Sequence, residues 1–272
     1  MEYPRITSRQ NKAVREAAAL ADSAEKRREQ GLFLCEGARL CEDAARSGVE
    51  VEACYFTEQA AKRYESYLEP VLRVCAQAFQ VEEHVAQLLS STKSSQGVFC
   101  VCRQPRTLLR ETLAGFSPLE SCAVLENLQD PGNLGTVLRT AEALGTSRVF
   151  LLGDCCDPLS PKVLRASMGA VFRVRMAFER SPQRLAGLLG ERGYALHAAV
   201  PDRSARRVTD VDFSQGLHAV FIGNEGSGLT EEALALCGDR VTIPMAGRAE
   251  SLNASAAATI LLWEMKRGEG HG

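Results

Sequence analysis

No Cys-x-x-Cys pair occurs in this chain, although it carries ten cysteines. That spacing underlies zinc ribbons and thioredoxin-like redox motifs, so both are excluded. His84, His197, His218 and His271 are scattered and form no ligand pattern, and no metal is expected. No apolar run is long enough to cross a bilayer, and the N-terminus does not read as a signal peptide. A cytoplasmic protein with reduced, mostly buried thiols and no membrane partner is the expectation. The net charge of −2 announces no polyanion binder, so any nucleic-acid role has to rest on local basic patches. Also missing are a phosphate loop with Lys-Ser/Thr after its glycines, a Gly-x-Gly-x-x-Gly fingerprint, a fixed-period repeat and a low-complexity tract.

What is present is an ordinary globular composition, 45% hydrophobic and 24% charged over 272 residues, with room for two domains. Residues 7–30 read as one helix, capped by Thr7 or Ser8, with a stripe at Val14, Ala17, Ala18 and Ala21 and a basic end, Lys26-Arg27-Arg28, read as a solvated face. Strands are expected at 32–35, 51–56, 71–74 and 97–102, and helices at 38–46, 58–66 and 81–89. This alternation fills a domain over residues 1–103. Residues 104–118, with two Pro and little strand pattern, read as a linker, partly helical near 108–113.

Residues 119–272 form a second domain, again of βαβ type, which implies a parallel sheet covered on both faces. Strands are expected at 123–126, 148–152, 194–200, 218–222 and 240–243, with 171–174 extended. Ser160-Pro161 and Ser181-Pro182 open helices, since Ser caps and Pro suits the first turn. Residues 133–144 and 230–238 are helical, and the helix at 256–265 is apolar nearly all round, which predicts burial on most sides.

Three stretches carry candidate chemistry. The first runs from Asn127 through Asp130-Pro131-Gly132-Asn133 into a helix whose apolar stripe lies opposite Arg139. Arg139 therefore points to solvent, to a substrate or to another chain. The second, Gly223-Asn224-Glu225-Gly226-Ser227-Gly228, follows a strand, where ligands of open α/β sheets bind. The third is Ile243-Pro244-Met245 followed by Ser251, Leu252, Asn253 and Ser255 at a helix start, where Ser and Asn oxygens satisfy unpaired N–H groups. Between the first two, Lys162, Arg165, Arg173 and Arg175 surround Ser167-Met168-Gly169, a donor set suited to phosphate oxygens or to plain solvation.

In order and spacing, residues 127–145, 221–229 and 243–255 resemble the three motifs of the SpoU (TrmH-like) RNA 2′-O-methyltransferases, and residues 31–44 and 89–101 resemble the substrate-binding domain often found ahead of them. Ala254 is the one small departure, at a position where the family often has a bulkier aliphatic residue. The resemblance implies a C-terminal parallel-sheet SPOUT domain with a deep trefoil knot, preceded by a smaller L30e-like α/β domain that binds RNA. It implies S-adenosylmethionine as cofactor, held by Gly223, Asn224, Ile243, Met245, Leu252 and Asn253. Gly223 is expected to be glycine because a side chain would block the cofactor's approach. By the same resemblance Arg139, Glu225, Asn253, Ser251 and Asn133 are catalytic. Arg139 acts on the 2′-hydroxyl from the neighbouring subunit of a homodimer, as base or by positioning, and Glu225 holds Arg139 or the substrate. Lys162, Arg165 and Arg173 contact the RNA, ribosomal in preference to transfer RNA. A non-catalytic RNA-binding protein with a degenerate domain is the competing class, and a dinucleotide oxidoreductase lacks its fingerprint.

Overall fold

The structure, a computed structural model, describes residues 3–109 and 120–268. Most of the expected linker, residues 110–118, lies outside the described residues, as does His271. The described chain forms two compact units, Met1–Arg106 with Asp157–Phe172, and Thr107–Cys156 with Arg173–Gly272.

In the first unit, strands β1 (Arg5–Ile6), β2 (Leu32–Glu36), β3 (Val51–Phe56), β4 (Gln77–Val81) and β5 (Val98–Arg103) take the order β1-β4-β3-β5-β2. β1, β4 and β3 are parallel, and β5 runs against both β3 and β2. On one face α1 (Lys12–Asp22) and α6 (Glu83–Leu89) bury Val14, Ala17, Leu20, Val85 and Leu89 against Leu34, Tyr55, Phe99 and Val101. Strand residues alternate between faces, so Cys35, Cys54 and Cys100, which stand in one register row, share the opposite face. There they meet Cys41 of α3 (Ala38–Arg46). Burial pushes the Cys35 and Cys41 thiols up, away from the reactive thiolate. All ten cysteines are free thiols, six of them buried.

The expected helix over 7–30 is two helices. Asn11, not Thr7 or Ser8, caps α1, and Ser23 starts α2 (Ala24–Gln30) by accepting from Lys26 N with extended backbone. Arg27 is buried rather than solvated: it is 3% exposed, bonds Leu20 O (2.6 Å) and Ala21 O (3.1 Å), and pairs with Asp157 at 2.7 Å. Those carbonyls belong to the last turn of α1, which lacks intrahelical donors. Residues 71–74 are helix, not strand. They complete α5 (Glu65–Val74), separate from α4 (Glu58–Arg63), because Val71 extends the buried stripe begun at Leu68, and Pro70 is accommodated inside the helix.

The second unit is an eight-stranded sheet in which every pairing is parallel. Its strands are β6 (Leu108–Leu109), β7 (Cys122–Glu126), β8 (Arg148–Leu152), β9 (Arg175–Glu179), β10 (Tyr194–Ala199), β11 (Arg206–Arg207), β12 (Leu217–Ile222) and β13 (Asp239–Thr242), ordered β11-β13-β10-β12-β7-β8-β9-β6. Its helices are α7 (Pro131–Ala143), α9 (Pro182–Gly190), α10 (Glu231–Leu236) and α11 (Ala254–Gly268). Leu108 and Leu109 are therefore an edge strand beside β9, not linker helix. Residues 171–174 are not extended either. After α8 (Pro161–Ser167), the chain makes a 3₁₀ turn, Ala170–Phe172, and its apolar residues plug the first unit, with Phe172 6.1 Å from Phe33. α11 is buried on one side only, through Ala258, Leu261, Leu262 and Met265; Ile260 (36%) and Trp263 (51%) are exposed.

Beneath the sheet's far end two buried imidazoles stack. Gln215 O fixes His218 as the Nε2–H tautomer, so its Nδ1 accepts from His197 Nε2–H at 2.9 Å. His197 Nδ1 then lies bare, 3.6 Å from Asp239, which also pairs with Arg206. Burial and the second imidazole lower the His197 pKa despite the pull of Asp239. A base whose folded pKa is depressed adds nothing above its unfolded pKa of about 6.5, and stability falls as pH drops through that value towards the lower folded one. Thermal unfolding at pH 7.5 and 5.5 is expected to show a larger acid loss for the parent than for His197→Gln; equal losses would remove His197 as a source.

Candidate active site

Three loops leave the carboxyl ends of the parallel strands β7, β12 and β13, near the point where the order of strands about β7 reverses. After β7 the chain turns at Asn127, a non-glycine residue at φ 53. Its Oδ1 takes the N–H of Asp154 (2.8 Å), which stabilises that uncommon conformation. Asp130 caps α7 by accepting from Asn133 N at 2.8 Å, and Pro131 fills the first turn. Leu134, Val137, Leu138 and Ala141 bury the inner face of α7, which leaves Arg139 exposed.

After β12 the loop folds back on itself, with Asn224 and Gly228 exchanging two backbone bonds of 3.0 Å. A Cβ on Gly223 would stand 2.1 Å from the backbone carbon of Gly228. Glycine is needed there because the loop's own return fills the space a side chain would take. Glu126, 2% exposed at the end of β7, accepts from Thr230 N (2.8 Å) and Oγ1 (2.7 Å), which anchors the far end of the loop at the start of α10. After β13, Asn253 caps α11, its Oδ1 accepting from Ser255 N (2.9 Å) and Ser255 Oγ (2.6 Å).

Side chains tie these loops together. Asn224 Nδ2 donates to Asn127 O at 2.8 Å, Asn133 Nδ2 to Glu225 Oε1 at 2.8 Å, and Asn253 Nδ2 to Asn133 Oδ1 at 3.1 Å. Beside them opens a cleft of about 390 Å³, within the usual range for small-ligand pockets. Leu229, Ile243, Leu252 and Leu261 give it apolar walls, and Glu225, Ser251 and the loop backbones add polar groups. Such a lining suits an amphipathic ligand of nucleoside size.

The expected cofactor residues Gly223, Asn224, Ile243, Met245 and Leu252 line this cleft, as do Glu225 and Ser251. Asn253, Asn133 and Arg139 do not line it; the first two join the bonded chain at its edge. Among the described residues Glu225 bonds Asn133 rather than Arg139. Lys162 and Arg165 belong to the first unit, whereas Arg173 belongs to the second and pairs with Glu142. Sequence reading missed Ala199, Val200 and Pro201, which form one wall after β10. The rule that ligands sit at strand carboxyl ends was the available signal. It also missed Glu126, an acidic residue inside an apolar strand.

Comparison with known proteins agrees with this geometry. Residues 120–263 match the SpoU rRNA Methylase family, and residues 11–100 match the MRM3-like substrate binding domain. A protein of Synechocystis named as an uncharacterized tRNA/rRNA methyltransferase is 33% identical, over 96% of this chain and 93% of its own length. The 23S rRNA (guanosine(2553)-2′-O)-methyltransferase RlmP of Bacillus subtilis is 28% identical, over 96% and 98%. An AdoMet-bound rRNA methyltransferase from Sinorhizobium meliloti superposes with a TM-score of 0.85 at 28% identity, covering 97% of this chain and 98% of that one. With a family match over more than half of its residues and three motif loops joined around one cleft, the chain belongs to the SpoU rRNA methylase family.

Proposed function

We propose that the protein transfers a methyl group from S-adenosylmethionine to a ribose 2′-hydroxyl of large-subunit (23S-type) ribosomal RNA. The observation that carries this is the convergence of residues 127–133, 223–229 and 243–253 on one cleft, through the bonds among Asn133, Glu225 and Asn253. The relative from Bacillus subtilis acts on that substrate class, and the Sinorhizobium structure holds that cofactor.

The cleft fits the cofactor in size and in the chemistry of its walls. Leu229, Ile243 and Leu252 would enclose the adenosyl part, with Met245 beside them and backbone groups near Gly223 and Asn224 reading its edge. When bound, the cofactor supplies an electrophilic methyl group on a sulfonium. Asn133, Asn253 and Glu225 keep the three loops in register, so that the acceptor oxygen meets a fixed site. Ser251 lies on the cleft wall, where its hydroxyl faces a bound ligand or substrate. Arg139 positions the 2′-hydroxyl and its neighbouring phosphate with a forked donor set. A guanidinium gives up its proton too reluctantly to serve as a base without a phosphate beside it. Residues 1–103 would hold the RNA, and the catalytic domain would be residues 119–272 apart from 157–172, which belong with the first unit.

The reading includes a homodimer, a knotted chain end and a cytoplasmic site of action, without a metal. Among the described residues no group of His, Cys, Asp or Glu is placed to hold a metal. No described helix is long and apolar enough to cross a membrane. For the knot, the support is the order of passage: β12 enters between β7 and β10, β13 lies beyond β10, and α11 returns to pack on α7. For the dimer, it is the exposed stripe Ala256, Thr259, Ile260 and Trp263 on α11, on the same unit as exposed Arg139. Trp263→Glu is expected to give a monomer by analytical ultracentrifugation and to lose methyl transfer, because Arg139 acts across the interface. A monomeric parent would remove the dimer. Calorimetric titration tests the reading as a whole. One S-adenosylmethionine per chain is expected, and no binding would return the protein to the non-catalytic class.

A further inference from the structure

The first unit carries a polar construction that methyl transfer does not use. The side chain of Glu36, which ends β2, is only 8% exposed. Its Oε1 accepts from Ser90 Oγ (2.5 Å) and Thr92 Oγ1 (2.8 Å), and its Oε2 from Ser91 N (2.9 Å) and Ser91 Oγ (2.6 Å). Burial opposes ionisation of this carboxyl, but the bonds from Ser90, Ser91 and Thr92 outweigh it and hold the group below the usual carboxylate range. The other end of the same loop is fixed at Gln96, whose Oε1 accepts from Ala38 N at 2.8 Å. Between the two anchors Ser91, Lys93, Ser94 and Ser95 are exposed. From α8, Arg165 donates Nη1 to Ser91 Oγ at 2.6 Å. One turn later Met168 stands 46% exposed at φ 50.

A buried carboxylate with four bonds to one tripeptide immobilises a polar loop that contributes little to a core. Immobilising such a loop costs conformational entropy, and, with the Ser90, Ser91 and Thr92 protons committed to Glu36, what it presents is Lys93, the Ser94 and Ser95 hydroxyls and Arg165. Hydroxyl, ammonium and guanidinium donors held in place suit phosphate and ribose oxygens. An exposed thioether in a backbone conformation uncommon for a non-glycine residue adds an apolar contact for an unstacked base. We propose that residues 90–96, held by Glu36 and flanked by Arg165 and Met168, form a preordered contact for the sugar–phosphate backbone of a folded RNA. Glu36 acts in it as a positioning residue. This rests on the RNA-modifying reading above and assigns that reading a surface.

The test uses the full chain and an unmethylated 23S ribosomal RNA transcript, with affinity measured across a salt series and cofactor affinity measured by calorimetry. Lys93→Glu, at an exposed position, is expected to weaken RNA binding about tenfold and to flatten the salt slope by about one. Glu36→Gln is expected to weaken it about threefold, with faster hydrogen exchange over 90–96, since an amide cannot accept all four bonds. Cofactor affinity stays unchanged in both. Should Glu36→Gln fail to fold, Lys93→Glu carries the test alone. Parental RNA affinity and salt slope in Lys93→Glu, in a protein whose parent methylates the transcript, would overturn the loop contact and leave the enzyme reading standing. A parent that neither binds nor methylates the transcript would overturn both.

Discussion

Arg139→Ala is expected to lower methyl transfer into ribosomal RNA by about 10²–10⁴-fold, the usual reach of one positioned group acting on a proton in flight. The buried stripe of α7, Leu134, Val137, Leu138 and Ala141, leaves Arg139 on the exposed side. No carboxylate ion-pairs with it among the described residues, so its donors are available to a substrate. Because Arg139 does not line the cleft, the variant should bind S-adenosylmethionine as the parent does. Arg139→Lys keeps the charge without the planar fork and should recover only part of the rate. Single-turnover transfer of a labelled methyl group, read beside calorimetric cofactor affinity, separates these outcomes. An undiminished rate in Arg139→Ala would remove this residue from the mechanism.

Gly223→Val should have the opposite signature, with cofactor binding lost first. The added carbon meets the backbone of Gly228 and Leu229 at 2.1–2.2 Å, and a backbone cannot swing aside as a side chain does. Overpacking of this kind costs about 1–3 kcal/mol of stability. The least costly relief is to open the loop, and its opening withdraws Asn224 and Glu225 from their bonds to Asn127 and Asn133. Cofactor affinity is expected to fall by tenfold or more, an effect of about 1.4 kcal/mol, with a modest fall in melting temperature. If Arg139 serves the neighbouring subunit, mixing Gly223→Val with Arg139→Ala chains should restore part of the activity that each lacks. Parental cofactor affinity in Gly223→Val would show that the loop has slack.

The second unit was legible because its signals are local. Pro after Ser marked the starts of α8 and α9, and β-branched runs marked the parallel strands, whereas Pro131-Gly132, read as a turn, is the first turn of α7. The cleft was legible because each motif loop follows a strand. What could not be read were residues whose role depends on distant chain. Val171 and Phe172 look like strand residues but fill the core of the first unit. Arg27 looks like surface charge but closes the carbonyls of α1 and pairs with Asp157, 130 positions away. Trp263 looks like core in an apolar helix, yet half of its surface is exposed. Gly223 was singled out for the cofactor's approach, but the return of the loop to Gly228, which also requires glycine, is invisible in a list of residues.

The decisive observable is where the methyl group lands. The direct measurement is to incubate the protein with unmethylated large-subunit ribosomal RNA and methyl-labelled S-adenosylmethionine, then digest the RNA to nucleosides and separate them. Label is expected in a single 2′-O-methylnucleoside and is expected to be lost in Arg139→Ala. Label on a base, or none in any nucleoside while the cofactor is bound, would contradict the proposed function.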